Sequence, residues 1–396
     1  MNISSRLAVN RSKKFVHSIF MGVIFFATST ASAGVATVIG TGLYHSCAAM
    51  AGGGLKCWGS GSNGELGDGK KTSSLVPVDV TALSGSVITA VGGGYSHTCA
   101  LTSTGSVYCW GKNNYGQLAS STLVSSSIPI LIPIPTGAAK GLSVGDNHVC
   151  ALDIYGNVYC WGGNSGTQLN RNPSLVRSTV PIYSAGMNDI AAINGNGMTT
   201  CARDVNSGVK CFGYNFYGQL GIGVRDTLDK PTYGAPNYVV GLSKNVISTS
   251  AGLYHSCAVS TEHVVSCWGA NIAGGLGFLE NLAVVFPSPI PVKGIRADAN
   301  AVFVGNARAC ITTVGGTAQC WGRNPSGQLG NGRTATQEAP YDVIGISEKV
   351  VSISLGFAHT CVLLENGTVR CFGANNLGQL GVGTTAGSPI ARPVSL

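Results

Sequence analysis

The chain has 396 residues, 44% hydrophobic and 10% charged, with 57 glycines and a formal net charge of +8. So few charges beside many short apolar runs exclude a disordered chain, and glycine at near twice its ordinary share points to an all-β protein dense in turns. The positive charge is weak ground for nucleic-acid binding, because Arg6, Arg11, Lys13 and Lys14 all crowd into the first 33 positions.

That opening segment reads as an export signal. After its cations an apolar run extends from Phe15 to about Thr28 and ends at Ala31-Ser32-Ala33, the small-residue pattern of a signal-peptide cleavage site. The run is too short for a membrane span of about 20 residues. Cleavage between Ala33 and Gly34 is expected, leaving residues 34–396 as a secreted or periplasmic protein with no integral membrane segment. Of 24 basic and 16 acidic residues, losing those four cations leaves +4. A nucleic-acid partner, which leaves a clustered Lys/Arg footprint, is not expected.

From Gly34 onward one unit of about 51 residues recurs seven times, with no room for a second domain. Each unit opens on a strand of small and β-branched residues, as at Val35–Ile39, Val87–Val91, Asp189–Ile193, Asn245–Ser250 and Lys349–Leu355. Two strands follow, each carrying one cysteine, and the two cysteines are always ten positions apart. Cys47 goes with Cys57, Cys99 with Cys109, Cys150 with Cys160, Cys201 with Cys211, Cys257 with Cys267, Cys310 with Cys320 and Cys361 with Cys371. All five tryptophans stand directly after a second cysteine, and Phe212 and Phe372 fill that place elsewhere. If Cys99 opposes Cys109, Ser103-Thr104-Gly105 is a three-residue hairpin loop whose last residue is left-handed, a conformation glycine reaches freely. Gly208 comes one residue late in the fourth unit and His263 replaces the glycine in the fifth, so irregular turns are expected there.

The register also speaks to the sulfurs. With 102 and 106 closing the loop as a hydrogen-bonded pair, 99 and 109 form a non-hydrogen-bonded pair about 4.5 Å apart at Cα, within disulfide reach. Seven local disulfides are expected, with buried free thiols as the alternative; the spacing matches no zinc finger or ribbon. A turn-rich segment then leads to a proline-bearing strand, as at Val76–Val80, Ile128–Pro135, Thr179–Tyr183, Pro287–Val292 and Pro340–Ile344. Proline lacks a ladder donor and belongs on a sheet edge. Small residues at a crowded axis, proline at the rim and apolar residues on both hairpin faces predict seven four-stranded sheets set radially, a seven-bladed β-propeller. A linear solenoid would need capping repeats, and neither end of the chain differs from the middle.

The pattern G-x-x-H-x-C-A-L, then G-x-V-Y-C-W-G-x-N-x-x-G-Q-L-G, resembles the regulator of chromosome condensation repeat, a seven-bladed propeller family. Gln219-Leu220-Gly221, Gln328-Leu329-Gly330 and Gln379-Leu380-Gly381 match it, as do Asn113, Asn164, Asn215, Asn271, Asn324 and Asn375. Gly61, Thr167, Ala119 and Gly275 depart from it locally. The resemblance implies a propeller; its nuclear members catalyse guanine-nucleotide exchange and bind chromatin, and a related secreted propeller inhibits β-lactamase. Export and disulfide-ready cysteines speak against nuclear exchange chemistry for this chain.

Candidate chemistry is sparse. His45, His97, His148, His255 and His359 each stand two before a first cysteine, with Thr199 and Arg308 in the remaining units. Such a set suits a structural hydrogen bond to the neighbouring blade better than a metal ring, because one histidine per blade is spread around the axis. No paired carboxylates, phosphate loop or G-x-S-x-G stretch occurs, nor the aspartate box of sialidases. No catalytic residue, metal or cofactor is expected. Tyr44, Tyr95, Tyr254 and Phe357, just before those histidines, are the candidate partner-binding residues, with the long spacer from Gly221 to Leu242 as a second surface. The expectation is a monomeric, non-enzymatic module binding an unknown protein or cell-surface ligand. An adhesion or envelope component and an inhibitor of an enzyme are the alternatives, and a carbohydrate-active enzyme or exchange factor is disfavoured.

Overall fold

The computed structural model describes residues 34–172, 174–227, 236–278, 284–295 and 298–396. The expected export signal, with Ala33, lies outside the described residues; Gly34 is the first of them. Seven sheets follow one another along the chain, and each is an antiparallel meander whose strand order is its sequence order. In the first blade the strands are Ala36–Thr41, His45–Met50, Leu55–Gly59 and Ser74–Asp79. Six blades have four strands; the fourth has three among the described residues, with one isolated bridge, Lys210 to Tyr238, in place of the outer strand. The chain is a seven-bladed β-propeller.

Why the hairpins form is visible in their turns. Cys99 pairs with Cys109, and Ala100 with Tyr108, in the register the alternation requires. Thr102 donates its N–H to Ser106 O at 3.0 Å, and Gly105 N–H returns to Thr102 O. Gly105 has φ +85°. The fourth and fifth turns are not irregular as expected: Ser207 (φ +65°) and His263 (φ +61°) take the same left-handed position. That costs a non-glycine residue roughly 1–2 kcal/mol, offset locally by side-chain bonds. Asp204 Oδ1 accepts from Asn206 N and Gly208 N, both at 2.9 Å. Ser260 Oγ accepts from Glu262 N and Val264 N, and His263 Nδ1 lies 2.7 Å from Ala299 O.

Every cysteine is joined to its partner ten positions away, and none is a free thiol among the described residues. Disulfides link Cys47 to Cys57, Cys99 to Cys109, Cys150 to Cys160 and Cys201 to Cys211. The remaining three link Cys257 to Cys267, Cys310 to Cys320 and Cys361 to Cys371. In each the Cα atoms are 4.1 Å apart, so the bond clamps the middle two strands of its blade.

The sulfurs sit between blades. Cys47 and Cys57 pack with Trp110 of the next blade, Cys99 and Cys109 with Trp161, and Cys150 and Cys160 with Phe212. Cys201 and Cys211 meet Trp268, Cys257 and Cys267 meet Trp321, and Cys310 and Cys320 meet Phe372. The core is therefore seven repeated seams, each burying a disulfide under the following blade's aromatic ring. Truncating such a ring costs about 3–5 kcal/mol.

No blade is shared between the chain ends; the last seam closes the ring. Trp58 packs on Cys361 and Cys371 and donates its Nε1–H to Gln379 O at 3.0 Å. Ala36 N–H donates to Gly367 O at 2.9 Å, and Phe357 N–H to Leu43 O at 3.1 Å. The innermost strands line an axial cavity of about 230 Å3 whose walls include Gly92, Ser143, Gly195 and Ser354.

Candidate binding face

Each seam is tied by the residues around the first cysteine. In three of the seams the carbonyl at the glutamine place of one blade receives two donors from the next. Glu65 O accepts the Trp110 indole N–H at 2.8 Å and the Thr98 hydroxyl at 2.7 Å. Gln379 O accepts Trp58 and Ser46 in the same way, and Gln219 O accepts Trp268 and Ser256. Since the hydroxyl's one proton is spent on that carbonyl, the neighbouring imidazole supplies the N–H for the next bond. His45 Nε2 donates to Thr98 Oγ1 at 2.8 Å and His359 Nε2 to Ser46 Oγ at 2.9 Å.

His45, His148 and His359 are thus hydrogen-bonded joints between blades. Each ring occupies the space a side chain on a nearby glycine would need: a Cβ on Gly42 would strike His45, and one on Gly145 would strike His148. Burial holds all five neutral, lowering His45 and His148 to about 4 and His97, His255 and His359 to about 3. Two seams lack the hydroxyl. In the blade after His97, Val149 stands at the place Thr98 holds for His45, and Ala309 stands there for His255. Neither ring nitrogen of these two histidines finds a partner among the described residues. Arg308, at a histidine position, is fully buried and donates to Phe357 O, Gly356 O and His359 O, each at 2.7 Å. Burial, with Arg323 nearby, lowers it to about 9. Among the described residues no three His, Cys, Asp or Glu side chains group as a metal site.

Because every blade is a meander, the loops between first and second strands emerge on the same face as those between third and fourth. The recurring asparagine of the latter shapes its loop from within: Asn324 Oδ1 accepts Leu329 N–H at 2.9 Å while its Nδ2 donates to Arg333 O and Ala335 O. Asn375 repeats the arrangement with Leu380, Thr384 and Ala386. These bonds leave the loop tips free to vary.

The four aromatic residues singled out from the sequence fall into three places on this face. Tyr44 and Phe357 meet edge to face at 6.0 Å across the closing seam. Tyr254 packs edge to face on Tyr217 at 5.3 Å. Tyr95 stands alone, 49% exposed. Tyr217 belongs to a larger group, for Tyr214 stacks on Phe216 at 5.2 Å and meets Tyr217 at 5.9 Å. Sequence reasoning missed Tyr214, Phe216 and Tyr217. The signal was there in Gly213-Tyr214-Asn215-Phe216-Tyr217, whose three aromatic places hold almost no aromatic residue in the other blades. On the second surface, Tyr238 is tied to Asp204 by its hydroxyl at 2.6 Å and sits under Lys210. Asp226 is buried, and Asp229, Lys230 and Tyr233 lie outside the described residues.

A partial belt of hydrogen bonds links neighbouring blades around the axis at the same level. Leu43 N–H donates to Gly94 O at 3.0 Å, Tyr95 N–H to Asp146 O at 2.9 Å and Asp146 N–H to Gly197 O at 2.7 Å. Inside it lies the mouth of the axial cavity, about 90 Å3, lined by side chains four before the first cysteine: Leu43, Tyr95, Asp146, Leu253, Asn306 and Phe357.

Comparison with known proteins agrees with this architecture. Two models of the regulator of chromosome condensation (RCC1) repeat match residues 53–101, 104–152 and 316–363, and residues 88–117, 139–168 and 350–379. The chain is 28% identical over 357 residues to the ultraviolet-B receptor UVR8 of Arabidopsis thaliana, covering 87% of this chain and 78% of that protein. It is also 28% identical over 317 residues to the mouse E3 ubiquitin-protein ligase HERC2, covering 76% of this chain but only 6% of that much longer protein. The crystal structure of Prp20p from Saccharomyces cerevisiae, described with its binding to Gsp1p and histones, superposes with a TM-score of 0.73 at 21% identity over 86% of each chain.

Proposed function

The chain is a regulator of chromosome condensation repeat protein, and on that premise we propose that it is an exported, non-catalytic module that binds a protein through the aromatic loop face. One observation carries the reading: the loops that vary between blades gather Tyr44, Tyr95, Tyr214, Phe216, Tyr217, Tyr254 and Phe357 on one face of a rigid ring. Aromatic side chains supply large contact area at low entropic cost, as binding hot spots do. Binding of Gsp1p and histones by the Prp20p propeller is a precedent for such a ring as a docking platform.

Export is part of the proposal. Seven disulfides suit an oxidising compartment, and residues 1–33 have the basic, apolar and small-residue order of a signal peptide. The mature protein would begin at Gly34, which N-terminal sequencing of the exported form tests directly. For the face, the mature chain is immobilised under oxidising conditions and exposed to cell-envelope extract. A partner should be held in stoichiometric amount, and Tyr217→Ser with Tyr95→Ser should release it. Tyr155→Ser, an exposed residue on the hairpin-turn face, should not. Equal retention by all the variants would refute the face.

A further inference from the structure

The mouth of the axial cavity holds a carboxylate that nothing among the described residues pairs. Asp146 is locked by its backbone, whose N–H and C=O both serve the circumferential belt. Its side chain takes no part in that belt, and among the described residues it makes no hydrogen bond or ion pair. Of the seven residues four before a first cysteine, it alone carries charge: the others are Leu43, Tyr95, Gly197, Leu253, Asn306 and Phe357. Lining the same cavity, Leu43, Leu253, Tyr95 and Phe357 surround it with apolar and aromatic surface. Desolvation by these walls raises the carboxyl to about 6.

A partly buried, unpaired acid costs free energy unless something compensates it. The compensation this cavity is shaped for is a single cationic side chain. A divalent cation needs about six to eight oxygen ligands, and one carboxylate with no neighbouring acid cannot supply them. An anion is excluded by Asp146 itself. A guanidinium, by contrast, pairs with a carboxylate in two parallel hydrogen bonds and lays its face against aromatic rings.

We propose that the axial mouth is a socket for one arginine side chain of the bound protein, with Asp146 as its counter-ion and Tyr95 and Phe357 as its stacking walls. This rests on the reading of the loop face as a docking surface and names what that surface takes up. The partner presents an exposed loop or terminus bearing the arginine, since the cavity of about 90 Å3 admits a side chain and no folded element.

Two measurements test it. In the first, N-acetyl-arginine-methylamide and its neutral isostere N-acetyl-citrulline-methylamide are titrated into the mature protein and followed by NMR. The arginine compound should bind and perturb resonances around Tyr95 and Phe357. Asp146→Asn should weaken that binding at least tenfold, and the citrulline compound should bind no better than the arginine compound binds to the variant. Equal binding of both compounds, or full binding by Asp146→Asn, overturns the socket, as does calcium alone giving the same perturbation. The substitution breaks no hydrogen bond or ion pair of the described residues and keeps the side chain's size, so the melting temperature should be unchanged or higher.

The second measurement uses the captured partner. A tenfold or greater loss on Asp146→Asn supports the socket. Should Tyr217→Ser release the partner while Asp146→Asn retains it in full, the face stands and the socket fails. Should neither substitution matter, both fail.

Discussion

At the level of the cysteines, blade follows blade with nearly the same residues; four positions before each first cysteine, the residues scatter from leucine to tyrosine, aspartate, glycine and asparagine. The first level is dry and shared between neighbours. A disulfide, an indole and an imidazole must fit both their own sheet and the next, so a change is felt twice. The second level touches solvent on one side and is held only by backbone bonds, which any residue can make. Repetition therefore marks what closes the ring, and variation marks what the ring is free to offer a partner.

The largest break in that contrast is chemical reduction. Each ten-residue disulfide loop contributes about 2–3 kcal/mol by restricting the unfolded chain, so reductant should lower the melting temperature far more than any loop substitution, with β content retained at low temperature. Superimposable melting curves with and without reductant would refute it.

Acid comes next. The five buried histidines have folded pKa values of about 3 to 4 against an ordinary 6.5. The unfolded chain therefore binds more protons, and their contribution, complete above pH 6.5, is lost as pH falls toward 4. The slope reaches roughly 1.4 kcal/mol per pH unit for each histidine. Asp146, raised from its usual 3.8 to about 6, acts in the opposite sense but as one group against five. Denaturant midpoints measured from pH 7.5 to 5 should fall steeply, and a flat profile would mean that the imidazoles are not neutral and buried.

Within the repeated layer, seams with and without the hydroxyl sharpen the comparison. Thr98→Val removes the partner of His45 and should cost about 1–3 kcal/mol. Val149→Thr supplies His97 with the hydroxyl it lacks, beside Gln117 O, which already accepts Trp161; a gain of about 0.5–1.5 kcal/mol is expected. Chemical denaturation of both variants decides whether the joint works as described. Smallest in stability is Tyr217→Ser, on the varied level, which should shift unfolding by no more than about 0.5 kcal/mol while releasing the partner. A large destabilisation there would show that the face belongs to the core after all.

How much of this was legible in the chain differs between the same two levels. Cysteines ten apart with an aromatic residue after the second carried the hairpin register, because side chains alternate across a strand and a three-residue loop leaves one consistent pairing. The pairings of Cys201 with Cys211, Cys257 with Cys267 and Cys310 with Cys320 follow that register as closely as the first. Proline in the outer strands and small residues in the inner ones carried the order from axis to rim. The turns at Ser207 and His263 misled, since glycine there is favoured but not required: Asp204 and Ser260 bond the loop amides and hold the left-handed residue in place. On the face, Tyr44, Tyr95, Tyr254 and Phe357 read as one group because they neighbour the histidines. Their numbering hides that Tyr95 and Phe357 stand four before the cysteine and Tyr44 and Tyr254 three before it, a difference of one residue that separates the axial mouth from the seams.

Alternation, spacing and turn chemistry are local properties, and from them the sequence by itself determined the blade, the number of blades and which cysteine faces which. Only the tertiary structure decided what lies across a seam. That Thr98 answers His45 while Val149 leaves His97 unanswered, that the last blade closes directly on the first, and that Asp146 stands at the axis unpaired among the described residues depend on residues some fifty to three hundred positions apart. Such contacts are set by how seven sheets pack around one axis, which no local pattern encodes.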